Sequence, residues 1–504
     1  MMVLLEQQWS REQVEAVKAR GSNLLVSAAA GAGKTSVLVQ RIIDYLKDPA
    51  NPVDVDRLLV VTFTNAAAAE MRERIRRQLA EELNSNPSSR HLQRQLTLLN
   101  HASIMTLHSF CLEVLRQHFY RLDLDPNFQV ADEGEASLLQ LEVLEELLEA
   151  RYLQEDNEDF LALVDAYGGE RDDAGLMDSI LKLYRFARSN PWPQGWLTRS
   201  LTSLTCSPDS VLDDFEWCRE LKADLALQLE GSCSDLRQAI ALCRRPGGPI
   251  VYLDNLAEDM KMLEELRAAC RGTWQDMFAG FRQVSFGRLK AARNHEGMDV
   301  ALHKQVKDLR DGVKERIYRL RDTYFSQSPE QQLEDLQKLA PVMSTLVQLV
   351  LDFGESFRQA KKNRGIVDFG DLEHYCLQVL LREGVEPGVL APSPVAVEMQ
   401  ERFIEVLVDE YQDINAVQEA ILQLVSRQDR GAPNRSMVGD VKQSIYRFRL
   451  ADPGLFLEKY RRFPLEKGLG ERRINLKKNF RSRPAVIEGV NFVFRQVMTP
   501  RVGE

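Results

Sequence analysis

The 504-residue sequence has few cysteines, and its seven (Cys111, Cys206, Cys218, Cys233, Cys243, Cys270 and Cys376) are scattered without a C-x-x-C pair. That spacing excludes a zinc ribbon and a disulfide scaffold, and reduced thiols are expected. Long apolar runs are also missing, with nothing near the ~18 residues that a membrane span needs. The start Met1-Met2-Val3-Leu4-Leu5 has neither the basic flank nor the length of a secretory signal. A cytoplasmic protein with no membrane association is therefore expected. Positive charge is not in excess, since the formal net charge is −10. A general polyanion binder is excluded, and any nucleic-acid surface must be a local basic patch. No internal repeat is visible. With 44% apolar and 28% charged residues the composition is that of a globular protein. Its length calls for about two to four domains.

What is present begins with Ser27-Ala28-Ala29-Ala30-Gly31-Ala32-Gly33-Lys34-Thr35-Ser36. The apolar run Leu24-Leu25-Val26 before it reads as a buried strand, and Leu38, Ile42, Tyr45 and Leu46 after it recur at helical spacing. Strand, glycine turn and helix in that order direct backbone N–H groups and a helix N-terminus at phosphates. Residues Ala28, Ala29, Ala30, Gly31, Ala32, Gly33, Lys34, Thr35 and Ser36 are the candidate ATP cradle. Lys34 would reach the terminal phosphates and Thr35 would ligate Mg2+. The usual first glycine of this pattern is Ala28 here. Upstream, Ser10 and Gln13 have the spacing of a helix capping box. The Gln13 amide, which both donates and accepts, is also a candidate for the adenine edge.

Further apolar strands end in polar clusters. Leu58-Leu59-Val60-Val61 leads to Thr62-Phe63-Thr64-Asn65, and Ser103-Ile104-Met105 leads to Thr106-Leu107-His108-Ser109. Open α/β sheets place ligand contacts at such strand ends. Phe63 is either core or a base-stacking ring, and His108 is either a satisfied structural histidine or a nucleic-acid backbone contact. Thr64, Asn65 and Thr106 are grouped with them as DNA-binding candidates. Phe403-Ile404-Glu405-Val406-Leu407-Val408 ends in Asp409-Glu410-Tyr411-Gln412-Asp413. There Asp409 would hold magnesium and Glu410 would polarise the attacking water. In Met437-Val438-Gly439-Asp440-Val441-Lys442-Gln443-Ser444-Ile445-Tyr446-Arg447-Phe448-Arg449, Gln443 would sense the γ-phosphate. Tyr446, Phe448 and Arg449 would meet single-stranded DNA. Arg481, in Asn479-Phe480-Arg481-Ser482, would approach the γ-phosphate from another domain.

Between these motifs, helical patterns run from about Asp125 to Val350 with an acidic start and a basic end. Arg282 to Arg321 carries 11 Lys or Arg against 5 Asp or Glu. A solvated face laced with ion pairs and a duplex-binding surface both fit that charge.

Together, Gln13, the Ala28 to Thr35 loop, Thr62 to Asn65, Thr106 to Ser109, Asp409 to Asp413, Gly439 to Arg449 and Asn479 to Ser482 resemble the ordered motifs of the UvrD/Rep/RecB helicases. The form with alanine at position 28 suits that superfamily. Gly365-Ile-Val-Asp-Phe-Gly-Asp-Leu-Glu-His-Tyr375 and Gly439 to Arg449, followed by Ala451-Asp452-Pro453, are similar to the AddA family of bacterial helicase–nuclease subunits. The resemblance implies an α/β fold in which a RecA-like P-loop domain with a parallel sheet is interrupted by a large all-helical insertion, followed by the start of a second RecA-like domain. The corresponding spans are 1–125 and 347–466 for the first domain, 126–346 for a DNA-binding insertion and 467–504 for the second domain. It further implies ATP and Mg2+ as ligands, 3′ to 5′ movement on single-stranded DNA, unwinding of duplex ends in recombinational repair, and heterodimer formation with an AddB-type partner. The same motifs also fit a nucleotide-dependent DNA-binding module without unwinding, and a UvrD/Rep-type helicase without nuclease. No nuclease constellation is found, and the sequence is expected to be the amino-terminal part of a longer protein. Too few strands follow Ile474 to bury a core, so the segment beyond about Lys467 is expected to be loosely docked, with Arg481 not required to lie near the phosphate loop.

Overall fold

The computed structural model describes residues 9–48, 51–169, 172–205, 207, 209–290, 299–427, 432–466 and 470–498. These form two compact units. The first comprises the described residues up to Asn157 together with Val164–Leu197 and Gln348–Phe494; the second comprises Glu158–Leu163, Thr198–Val347 and residues 495–498.

The described strands, in chain order, are β1 (Ser22–Ala28), β2 (Leu58–Thr62), β3 (Ser103–Thr106), β4 (Gln129–Val130), β5 (Ile366–Val367), β6 (Glu405–Val408), β7 (Arg435–Gly439) and β8 (Gly470–Leu476). The first unit is built on a six-stranded parallel sheet with the spatial order β3-β2-β6-β7-β1-β8. Because helices cover both faces, consecutive residues are apolar rather than alternating. Leu25, Leu59, Val61, Val406, Val408 and Met437 pack on one side with helices Leu107–His118, Phe369–Leu380 and Ala416–Val425. Leu24, Val26, Leu58, Val60, Leu407 and Val438 pack on the other with Lys34–Lys47 and Asn65–Ser85. Each such side chain contributes about 1.5–3 kcal/mol by burial. All six strands point the same way, so the polar clusters after β1, β2, β3, β6 and β7 emerge along one edge. That edge is where open parallel sheets gather ligands.

The two short strands β4 and β5 pair in parallel and bring residues on either side of the long helical stretch together. The expected insertion at 126–346 differs from the observed division. Helices Glu133–Tyr152 and Ala174–Arg188 belong with the sheet unit. Arg151 pairs with Asp352, Arg188 pairs with Asp371 at 2.9 Å, and the Tyr184 ring meets Phe353 edge-on at 5.0 Å. A sequence break at Pro191-Trp192-Pro193 is closer to this boundary than the change in charge near residue 125.

A second correction concerns β8. The expectation of a loosely docked segment that opens a separate domain does not hold for it, because β8 pairs with β1 in register from Ser22↔Gly470 to Ala28↔Leu476. Ile474 and Leu476 enter the core beside Ala28. A single strand needs no core of its own when a sheet edge offers both hydrogen bonds and an apolar face. Residues 467–469, where the sequence reading placed its boundary, lie outside the described residues.

The second unit is helical, with Glu216–Cys243, Leu253–Ala269, Trp274–Arg282 and Val300–Tyr324 around a core that includes Leu229, Leu236, Leu263, Phe281, Val313, Ile317 and Phe325. Of the ten described Lys and Arg between Arg282 and Arg321, five are in ion pairs. Arg310 binds buried Asp259 at 2.6 Å, while Arg316, Arg319, Arg321 and Lys290 pair with Asp235, Glu315, Asp322 and Asp254. Internal ion pairing thus accounts for much of this charge; residues 291–298 lie outside the described residues. Among the described residues no helix is long and apolar enough to cross a membrane. Cys111, Cys218, Cys233, Cys243, Cys270 and Cys376 are free and buried, and Cys206 lies outside the described residues.

Candidate functional site

The turn after β1 folds as the glycines demand. Gly31 and Gly33 adopt φ of 72° and 81°, a region that costs L side chains about 1–2 kcal/mol. Gly33 caps helix Lys34–Lys47 with no side-chain hydrogen bond, which leaves the first N–H groups of the helix available to an anion. Arg41, farther along this helix, is fully buried and donates to Glu405 at 2.8 Å and to the Ala16 carbonyl, fixing the helix to β6. Within the turn the candidates separate. Ala28 ends β1 at 1% exposure and its methyl lies in the core, as does that of Ala32. Alanine suits position 28 because it belongs to the strand rather than to the open turn. Ala30 and Ser36 are exposed, while Ala29, Lys34 and Thr35 are half-buried.

Gln13 forms the capping box with Ser10, accepting from the Ser10 N–H at 2.8 Å, and also donates to the Ala32 carbonyl at 3.0 Å. The helix cap and the phosphate turn are therefore braced by one amide.

Asp409 leaves β6 with its N–H bonded to the Val61 carbonyl, and Glu410 follows in the left-handed region at φ 48°. Non-glycine residues hold that conformation where the surroundings over-determine it, often at functional sites. The Glu410 carboxylate accepts from Lys34 Nζ at 2.6 Å and from Gln412 Nε2 at 3.0 Å. Burial, followed by the neighbouring Glu410 charge, pushes the Asp409 carboxyl up to about 6, against Lys34 and the Glu410 N–H.

Gln412 was not singled out by sequence, yet it is 1% exposed and joins its own loop to the segment after β7. It donates to Glu410 and to Asp413, and accepts from the Asp440 N–H at 2.9 Å. A Cβ on Gly439 would stand 2.5 Å from its Oε1, so the glycine permits this approach. Below the loop, buried Glu419 accepts from Tyr411, Arg435 and Lys459 and is held down to about 2, the two cations outweighing burial.

Gln443 lies on the same side of the sheet, its Nε2 donating to Asp440 at 2.8 Å and its Oε1 3.4 Å from Lys34 Nζ. Three residues later Tyr446 meets Phe63, ring centroids 4.3 Å apart, and Phe448 follows at 5.8 Å from Tyr446. Phe448 is 75% exposed, and the Arg449 guanidinium lies 5.6 and 5.8 Å from the two rings of its own segment. The alternative that Phe63 is simply core does not hold, since it is half-buried at a strand exit.

The remaining candidates divide. Thr64 caps helix Asn65–Ser85 through the Ala67 N–H and stays exposed, as does Asn65. Thr106 is buried, its hydroxyl bonded to Ser109 N and Oγ, so it starts helix Leu107–His118 and does not face solvent. It serves as the N-cap of that helix while lining the same cavity as Phe63 and His108. His108 beside it is 39% exposed and pairs with Glu373 at 3.1 Å. Phe369, half-exposed and edge-on to His108 at 5.3 Å, also lies on this side and was missed; it sits in the Gly365 to Tyr375 phrase, to which sequence reasoning gave no role.

Arg481 is close to the phosphate turn after all. Asn479 Nδ2 donates to the Ala30 carbonyl at 2.9 Å and Phe480 N to the Gly31 carbonyl at 2.9 Å. A Cβ on Gly31 would meet Asn479 Oδ1 at 2.7 Å and Arg481 Cβ at 3.0 Å. The β8 pairing carries this segment there.

Residues 9–464 match the family model described as the UvrD/REP helicase N-terminal domain. Among curated relatives, the A subunit of the ATP-dependent helicase/nuclease of Pelotomaculum thermopropionicum is 52% identical over 98% of this chain and 39% of that protein. Its counterpart in Desulforamulus reducens is 50% identical over 99% of this chain and 40% of that protein. The one in Geobacillus thermodenitrificans is 48% identical over 98% and 40%. The chain thus spans about 40% of the length of these relatives.

Proposed function

This chain belongs to the UvrD/REP helicase family, grouping with AddA-type helicase/nuclease proteins, and from that we propose that it carries the ATP-fuelled, DNA-gripping part of a helicase motor acting in DNA repair. The observation that supports it best is the short path from Gln443, against Lys34, to Tyr446, against Phe63. One segment thereby serves a phosphate site at one end and an aromatic surface at the other.

The residues present fit a magnesium nucleotide. The helix start without a side-chain cap bond, the open turn at Gly31 and Gly33, and the Lys34 ammonium suit phosphate oxygens. Thr35 and Asp409 would hold Mg2+, which when bound supplies charge neutralisation at the phosphates. Among the described residues no cluster of three or more His, Cys, Asp or Glu could hold a metal, consistent with a magnesium that takes much of its shell from phosphate and water. Lys34 and Arg481 bind and orient the terminal phosphate, Glu410 accepts a proton from water, and Gln443 positions the same region. Gln13 borders the adenine side. Phe63, Tyr446, Phe448 and Phe369 stack bases, with Thr64, Asn65, His108 and Arg449 on the backbone.

The proposal extends to 3′ to 5′ translocation on single-stranded DNA, to double-strand-break repair and to pairing with an AddB-type partner, in line with the relatives' designation as one subunit of a helicase/nuclease. The domain assignment, a RecA-like body interrupted by a helical insertion, is part of the same reading.

Binding of a fluorescent oligothymidine, titrated with and without ADP and a non-hydrolysable ATP analogue, tests it. A motor predicts strand affinity that changes with nucleotide state and, reciprocally, nucleotide affinity that changes by the same factor with strand. Strand binding indifferent to nucleotide, or no strand binding, would overturn it.

A further inference from the structure

His108 and Glu373 form a pair that the proposed motor chemistry leaves unexplained. Glu373 projects from helix Phe369–Leu380 with a side chain 7% exposed, and among the described residues its ionic partner is His108. Three donors converge on this one carboxylate. His108 Nε2 and Gln418 Nε2 reach Oε1 at 3.1 and 2.6 Å, and Asn415 Nδ2 reaches Oε2 at 3.4 Å. A carboxyl group serving three donors is an acceptor at every site, the ionised form. A buried ionised carboxylate calls for a compensating cation, and the half-exposed imidazole is the group in place to supply it.

The pair stands at a junction. His108, Glu373, Asn415 and Gln418 line a cavity of about 260 Å³ together with Phe63, Asp409, Glu410, Asp413 and Arg449. Asn415 caps helix Ala416–Val425, which continues directly from the loop that carries Asp409 and Glu410. One carboxylate therefore holds the His108 ring through Oε1 and, through Gln418 on Oε1 and Asn415 on Oε2, the start of the helix that follows the Asp409–Glu410 loop.

We propose that Glu373 is a positioning residue for nucleic-acid backbone binding, keeping His108 charged and oriented toward the strand while anchoring the Asn415 cap behind the Asp409–Glu410 loop. This rests on the functional reading above. Burial pushes His108 down, but its hydrogen bond and charge interaction with Glu373 outweigh that and hold it above its ordinary range, with Arg449 opposing. The other titratable groups around the pair are Asp409, Glu410 and Asp413 across the cavity, Cys111 one turn along the His108 helix, and His374 beside Glu373.

The experiment is oligothymidine affinity measured from pH 5.5 to 8.5. In the unaltered chain affinity falls as pH rises through the His108 titration, because the imidazolium loses its charge. Glu373→Gln keeps the volume and removes the charge, so burial and Arg449 dominate and the step moves to lower pH. At pH 7 affinity then falls by roughly tenfold, the loss of one charge-assisted contact. His108→Gln removes the step, and adding Glu373→Gln to it changes little, a non-additivity that a merely structural role would not produce. Glu373→Asp, which keeps the charge, retains the step and serves if the glutamine variant fails to fold. An unaltered chain that binds no oligothymidine at any pH overturns the functional reading and this inference with it. A chain that binds, with a pH step that survives Glu373→Gln or with fully additive losses, overturns this inference alone.

Discussion

The ammonium of Lys34 lies 2.6 Å from a carboxylate oxygen of Glu410, although 376 positions separate them in sequence. The candidate phosphate-binding cation and the candidate base for water thus neutralise one another across the sheet edge. The lysine side chain is 10% exposed and the glutamate 35%, so solvent screens the pair from the glutamate side. Phosphate oxygens that draw Lys34 away would release Glu410 for proton transfer.

Lys34→Ala is expected to weaken binding of a non-hydrolysable ATP analogue by ~1.5–3 kcal/mol, the value of hydrogen bonds to a charged group. Calorimetric titration measures it. Unchanged affinity would remove the phosphate-cradle assignment.

Glu410→Gln should retain nucleotide affinity and lose turnover by roughly 10²–10⁴-fold, because an amide cannot take the proton from water. Single-turnover hydrolysis, read alongside analogue binding, separates the two effects. Preserved hydrolysis with weakened binding would exchange the roles given to Glu410 and Asp409.

Asp409 supplies a pH test. Its folded-state value of about 6 lies above the ordinary carboxylate value of ~3.9, so between these two pH values the native state holds more proton than the unfolded chain. Stability contributed by this group therefore falls as pH rises from about 4 to 6 and stays lower above that, by ~2–3 kcal/mol. Asp409→Asn should raise the urea midpoint at pH 7 and flatten that part of the pH profile, while magnesium-dependent nucleotide binding is lost. No stabilisation at pH 7 would show that the buried charge is compensated more fully than its neighbours indicate.

Phe63→Ala and Tyr446→Ala should each reduce oligothymidine affinity by ~1–3 kcal/mol. With ring centroids 4.3 Å apart, the two form one stacking surface, and the double variant should lose less than the sum. Strictly additive losses would mean that the rings serve separate bases.

Much of this protein was legible without coordinates. Leu24-Leu25-Val26, Leu58–Val61 and Val406–Val408 are apolar at every position because helices bury both faces, and that pattern marked them as buried strands, while the parallel sheet came from the family resemblance. Gly31 and Gly33 stand where the backbone turns left-handed, and the polar clusters sit at strand ends, so local chemistry located the turn and the strand-end candidates. The fold also uses Ala28 in the core and Thr106 as a helix cap, roles that local reading had not assigned to them. Tertiary structure alone decided which distant residues meet. Gln412 and Glu373 look ordinary in sequence, and their partners come from segments joined only through the sheet and its helices. The place of Arg481 beside the phosphate turn likewise follows from β8 pairing with β1, since backbone hydrogen bonding at a sheet edge carries almost no side-chain signature.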